Sequence, residues 1–179
     1  MNMNTHYPEP PVTQTTNRHT LAVIVDNEPG VLARIAGLFS GRGYNIESLT
    51  VSETEHEKHI SRITIVTAGT ANVIEQIKAQ LERLVPVHRV DDLTVHGEAL
   101  ERELCLVKVI GTGEQRVEAL RLASAFGART LDATLTSFIF ELMGTSEEVE
   151  RFIKLMTVVG LTEVARTGIA AMSRGAESF

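Results

Sequence analysis

Two asparagines, Asn27 and Asn45, stand at either end of a strongly amphipathic run within DNEPGVLARIAGLFSGRGYNIESL, Asp26 to Leu49. A primary amide both donates and accepts hydrogen bonds, so two of them can hold an ammonium and a carboxylate at once. Those are the two ends of an amino acid. A helix start supplies free backbone N–H groups and a partial positive charge, which suit the carboxylate. Pro29 is expected at the first helical position, where its missing N–H costs nothing, and Gly30 lets a ligand or a neighbouring backbone approach without meeting a Cβ. Plain capping chemistry competes with this reading, because Asn and Gly are common at helix ends. Asp26 and Glu28 would repel a lone carboxylate, yet they would help neutralise an accompanying ammonium. Residue types and spacing therefore leave a small-zwitterion site and a pair of caps both open.

Other chemistry-bearing groups are sparser. Gly111, Thr112 and Gly113 lie between a strand and a helix, with Asp132 about 20 residues later, as in a dinucleotide fingerprint. The third glycine position holds Arg116, however, and the next two strands read as a hairpin rather than a parallel crossover, so we read a strand-to-helix turn. His56 and His59 in HEKH fall one residue short of a zinc-protease spacing and sit in an expected hairpin loop. His19, His88 and His96 are scattered near strand ends, with no Ser or Cys nucleophile motif beside them. No catalytic residue and no metal ligand is assigned. The single cysteine, Cys105, lies in ELCLVKVI and reads as a small buried hydrophobe. Glu147 and Arg151, at helical spacing, read as a solvated ion pair.

The elements that must position these groups follow from apolar periodicity. HTLAVIVD, from His19, is an expected strand, and Val31, Leu32, Ile35, Leu38 and Phe39 recur at helical spacing before Gly41 and Gly43. A strand is expected near Asn45 to Glu53, and ISRITIVT makes a second strand after the polar TEHEKH turn. Val73, Ile74, Ile77, Leu81 and Leu84 give a second helix, and VHRVDDLTV a strand ending near Val95. After HGEALERE the order returns: LCLVKVI, the helix EQRVEALRLASAF, the strands ARTLDATL and SFIFELM, the helix SEEVERFIKLMTVV and the strand LTEVART. The fold class is therefore α+β, with two βαββαβ units of the ferredoxin-like kind over residues 18–96 and 97–179. Each unit has a sheet with both helices on one face, and its bare face or edge calls for a cover, expected to be a second copy of the chain. Residues 1–17, rich in Pro, Thr, Asn and Gln, are expected to be a disordered tail.

Composition narrows the function classes. The 179-residue chain is 43 % hydrophobic, enough for packed cores, and carries a formal charge of −6 with only 4 % aromatics. That balance argues against nucleic acid as a partner, which rewards basic patches and stacking platforms. No apolar run approaches the length of a membrane span, and the first residues lack the basic and apolar regions of a leader, so a cytoplasmic protein is expected.

The string DNEPGVLARIAGLFSGRGYNIESLTV, together with SRITIVT, QLERLVPVHRV, LVKV and the closing EVARTGIAAMSRG, resembles the small regulatory subunits of acetolactate synthase, also called acetohydroxyacid synthase. The likeness runs from Arg18 to Gly175. It implies that the first unit is an ACT domain, an amino-acid-binding module, and that valine sits at an interface between the ACT domains of two subunits. The family's valine-holding residues match Asn27, Gly30 and Asn45, with Pro29, Val31, Leu32 and Ile46 as neighbours. It further implies a homodimer, a large catalytic partner that binds thiamine diphosphate, magnesium and FAD, no cofactor in this chain, and feedback control of branched-chain amino acid synthesis by L-valine. A free-standing ACT-type amino-acid sensor is the alternative.

Overall fold

The computed structural model describes residues 15–95, 97 and 99–176. Most of the expected tail and His96 lie outside the described residues. Asn17 and Arg18 already belong to the first strand.

The first sheet is built from β1 (Asn17–Asp26), β2 (Ser48–Glu55), β3 (Ile60–Gly69) and β4 (Val87–Asp92), in the spatial order β2-β3-β1-β4 with antiparallel neighbours. Helices α1 (Val31–Gly41) and α2 (Ala71–Leu81) connect these strands in βαββαβ order. Strand alternation sends Leu21, Val23, Val25, Ile63 and Ile65 to the helix face, where they pack with Val31, Ile35 and Phe39 of α1 and Ile74, Ile77 and Leu81 of α2. Helix α1 ends where Gly43 adopts φ +71, and the amides of Gly43 and Tyr44 bond back to Ser40 O and Phe39 O at 3.2 and 2.9 Å. That left-handed close needs glycine.

The second sheet contains β5 (Leu100–Ile110), β6 (Arg129–Ala133), β7 (Ser137–Gly144) and β8 (Leu161–Arg166), in the order β6-β7-β5-β8, again antiparallel. Helices α3 (Glu114–Ala125) and α4 (Ser146–Val158) cover one face, burying Cys105, Val107, Val109, Phe138, Phe140, Phe152 and Met156. Helix α4 opens on a reciprocal capping box, in which the Thr145 side chain accepts from the Glu148 amide and the Glu148 carboxylate accepts from the Thr145 amide. The two ferredoxin-like units expected from sequence are thus present.

Several boundaries differ from the sequence reading, each for a local reason. Strand β2 begins at Ser48 rather than Asn45, because only from there does the chain run in register with Val66. Strand β4 stops at Asp92 because that carboxylate turns back to accept from the Thr94 amide at 3.0 Å. Strand β5 starts at Leu100, inside the HGEALERE segment that precedes the expected LCLVKVI strand. Helix α2 ends at Leu81, leaving Leu84 to pack on the core from the following turn.

A short strand β9 (Ala170–Met172) has no counterpart in the sequence reading. It pairs with the first residues of β5, Leu100–Arg102, and its segment crosses the face of the first sheet that lies opposite the helices. Ile169 and Ala171 are buried there against Ala22, Val66 and Leu93. Part of the bare face that called for a second copy is therefore covered by the chain's own C-terminal segment.

Candidate functional site

Strand β1 delivers Asp26 and Asn27 to one end of the first sheet. The Asp26 amide donates to Pro86 O at 2.8 Å and the Asn27 amide to His59 O at 2.6 Å, pinning the turn to two neighbouring loops. The Asp26 carboxylate is hydrogen-bonded to His88 Nε2 at 2.6 Å, so it faces its own strand neighbour rather than standing free. Gly30 is the N-cap of α1 at φ +88, and the helix begins at Val31. Pro29 accordingly lies one residue before the cap and not at the first helical position. The left-handed cap is the reason: only glycine reaches that φ without strain, and it swings the chain into the helix two residues later than the Pro spacing suggests.

No side chain caps this helix, and its first turn holds no acidic residue. Among the described residues the Asn27 side chain makes no hydrogen bond, so of the two capping candidates Gly30 is the cap and Asn27 is not. Space beyond Gly30 is open, with no atom within 4 Å of where a Cβ would stand. The exposed amide of Asn27, the open Gly30 and the amides at the start of α1 form one polar, unshielded edge, and Leu32, 42 % exposed, supplies its apolar part. Val31 contributes differently, since its side chain is buried in the core.

Asn45 occupies the far end of α1. With 11 residues at 1.5 Å each, that helix separates the two asparagines by about 16 Å along its axis. The strand register agrees: Asn27 bonds to His59, beside the Asp26↔Ile60 pair, whereas Asn45 O accepts from Thr67 Oγ1 at 2.6 Å, beside His19↔Thr67. One chain therefore does not bring Asn27 and Asn45 together. Asn45 is exposed and its side chain makes no hydrogen bond among the described residues, while Ile46 is half-buried against the core. The expected site is split into a helix-start half and a strand-entry half, at opposite ends of one sheet.

The strand-entry half is firmly held. The Glu47 amide donates to Val66 O at 2.8 Å, the Glu47 carboxylate lies 3.6 Å from Arg18, and Ser48 Oγ accepts from the Ile169 amide at 2.9 Å. The sequence reading missed these partners. Ser48 and Ile169 are 121 residues apart, a pairing with no local signal.

The remaining sequence-level candidates resolve into structure. The Gly111–Gly113 turn joins β5 to α3, and the strands that follow pair antiparallel, with Asp132 in β6, which does not build a parallel dinucleotide crossover. His56–Lys58 form a single 3-10 turn between β2 and β3. His19 Nδ1 hydrogen-bonds the buried Asp92 carboxylate at 2.7 Å. Cys105 is fully buried, and burial pushes its thiol up from its ordinary value. Among the described residues no group of three or more His, Cys, Asp and Glu side chains is placed to share a metal ion.

Comparison with known proteins accounts for both units. Residues 21–89 match the family described as the AHAS small subunit-like ACT domain, and residues 102–175 that described as the small subunit of acetolactate synthase. A probable acetolactate synthase small subunit from Archaeoglobus fulgidus is 48 % identical over 158 residues, covering 88 % of this chain and 98 % of that protein. This chain belongs to the acetolactate synthase small-subunit family. The isozyme 3 small subunit of Salmonella typhimurium is 45 % identical over 159 residues, or 88 % of this chain and 96 % of its own. The crystal structure of the acetolactate synthase small subunit from Thermotoga maritima superimposes with a TM-score of 0.82 at 36 % identity, covering 90 % of this chain and 99 % of that one. As a small subunit of acetolactate synthase, the chain has a large catalytic subunit as its implied partner, and its first unit is an ACT domain. Among the described residues no helix is long and apolar enough to cross a membrane.

Proposed function

We propose that this chain is the regulatory subunit of a cytoplasmic acetolactate synthase, which activates the catalytic subunit and makes it sensitive to L-valine. Residues 18–96 act as the effector domain, and residues 97–179 form a second, ferredoxin-like domain. Catalysis, with thiamine diphosphate, magnesium and FAD, belongs to the large subunit.

The observation that carries the valine reading is the split between the two half-sites. Asn27, Gly30 and the start of α1 offer amides and partial positive charge for a carboxylate, while Asn45 offers an amide able to take an ammonium, about 16 Å away along the same helix. In the two-fold pair of ACT domains proposed here, the helix-start half of one protomer meets the strand-entry half of the other, and the symmetry of an isologous interface repeats that contact with the roles exchanged. Each dimer then holds two equivalent zwitterion sites, with Leu32 and Ile46 as the apolar walls for a branched side chain. Binding stabilises the paired arrangement, and valine regulates to the extent that it prefers one assembly of the enzyme over another.

Calorimetric titration of the purified chain with L-valine, against D-valine and L-leucine, tests this reading. Saturable, stereospecific binding with L-leucine weaker is the expected result. A chain that raises the activity of the catalytic subunit but shows no L-valine binding, alone or reconstituted, contradicts it. A chain that binds valine yet leaves the catalytic subunit unaffected points instead to a free-standing sensor.

A further inference from the structure

The segment from Thr167 to Met172 leaves the second domain and lies across the first, and its contacts fall on the entry to β2. The Thr167 amide still bonds to Leu104 O of β5 at 3.0 Å, so the segment is rooted in the second sheet. Two residues later the Ile169 amide donates to Ser48 Oγ at 2.9 Å, and further on Arg62 of β3 donates to Ala171 O at 2.8 Å. Between these bonds sits Gly168, where an added Cβ would stand 2.3 Å from Thr50 Oγ1 and 2.6 Å from Leu49 O. Only a residue without a side chain lets the two backbones approach so closely.

This contact is tight but incompletely satisfied. The Thr50 hydroxyl under Gly168 is buried with no hydrogen-bond partner among the described residues, which disfavours the closed arrangement relative to one that readmits water. Beside the segment lies a polar cavity of about 360 Å³ lined by residues of both domains, among them Arg18, Glu47, Glu103 and Arg166. The segment thus has a reason to shift and a space to shift into. Ser48 lies three residues after Asn45 in the chain and accepts from the Ile169 amide, so a displacement of the Asn45–Glu47 turn is passed to the segment through that bond.

We propose that the Thr167–Met172 segment is the link through which occupancy of the strand-entry half-site reaches the second domain, with Ser48 and Gly168 as its positioning residues. The inference rests on Asn45 and Ile46 belonging to the effector site. Ser48 and Gly168 touch no effector. They set how rigidly the turn that does is tied to the other domain.

Hydrogen–deuterium exchange of the full-length chain, with L-valine as the probe and D-valine as the control, tests the link. In the wild type, L-valine is expected to slow exchange severalfold over residues 43–49 and to change it over residues 165–172 in the same titration. In Ser48→Ala and Gly168→Ala the response at 43–49 persists and that at 165–172 is lost, a decoupling that a purely structural role does not produce. A wild-type response confined to 43–49, or variants that respond at both segments like the wild type, overturns the link. Without effector, Gly168→Ala alone is expected to alter exchange at 43–49, and no change there overturns the link as well. If L-valine is silent at both segments while this effector-free crosstalk is present, the valine reading fails and the link stands.

Discussion

Asn27 and Asn45, the two residues best suited to grip an amino acid, sit at opposite ends of helix α1 in one protomer. Asn27 is tied to His59 at one end of β3, and Asn45 to Thr67 near the other. One chain therefore cannot close both asparagines on a single amino acid, and the proposed effector site takes one half from each of two chains.

Replacing either asparagine by alanine should abolish valine inhibition while leaving activation of the catalytic subunit largely intact. Both side chains are exposed and make no hydrogen bond among the described residues, so their removal costs little stability. Steady-state assays of the reconstituted enzyme, with and without valine, check the separation. Loss of activation in a folded variant would show that the two roles share the same residues.

Gly160 closes the turn between α4 and β8 at φ +102, with Ile110 O only 2.2 Å from the position of an added Cβ. The clash is with backbone, and the φ is one that other residues adopt only with strain, so Gly160→Ala should cost about 2–3 kcal/mol. Urea unfolding measures it. A change within a few tenths would mean that the turn rearranges freely.

The capping box of α4 predicts an acid sensitivity. The Thr145 amide, at 2.7 Å, and then the Thr145 hydroxyl hold the Glu148 carboxyl below its ordinary range. A depressed folded-state value contributes stability that is present above the unfolded value and lost as pH falls through the folded one. The stability difference between wild type and Glu148→Gln should therefore be largest at neutral pH and shrink on acidification below the usual carboxylate range. Thermal melts across that range read it directly, and a difference that grows on acidification would refute the assignment. Thr145→Ala, which removes the cap itself, should cost about 1 kcal/mol.

Cys105 should be inert in the native protein. Its side chain is wholly buried in the second core, and burial pushes the thiol up, so little thiolate forms near neutral pH. Ellman's reagent should label it only at the rate of unfolding, and prompt labelling in native buffer would contradict this placement.

Much of this was legible in the sequence because the decisive signals are local. The alternation of Leu21, Val23 and Val25 and the helical spacing of Val31, Ile35 and Phe39 fix which face each element buries, and both ferredoxin-like units follow from such patterns. The residue types at Asn27, Gly30 and Asn45 were equally readable. What escaped were features made by distant parts of the chain. Strand β9 is three residues long and exists because Leu100–Arg102 offers it an edge and the first sheet offers Ile169 and Ala171 a place to be buried. Pro29 misled because the left-handed cap at Gly30 moves the helix start by two residues, from Pro29 to Val31. The separation of the two asparagines needed only the length of α1, but the sequence pattern does not say which partner surface completes each half.

The most direct test of the shared site is complementation between variants. Asn27→Ala and Asn45→Ala protomers are each unfolded, mixed in equal amounts, refolded together and titrated with L-valine. In a mixed dimer one site combines the intact Asn27 of one chain with the intact Asn45 of the other, so random pairing should restore about a quarter of the wild-type binding capacity. Neither parent alone should bind. A mixture that binds no more than its parents would contradict a site built across two chains.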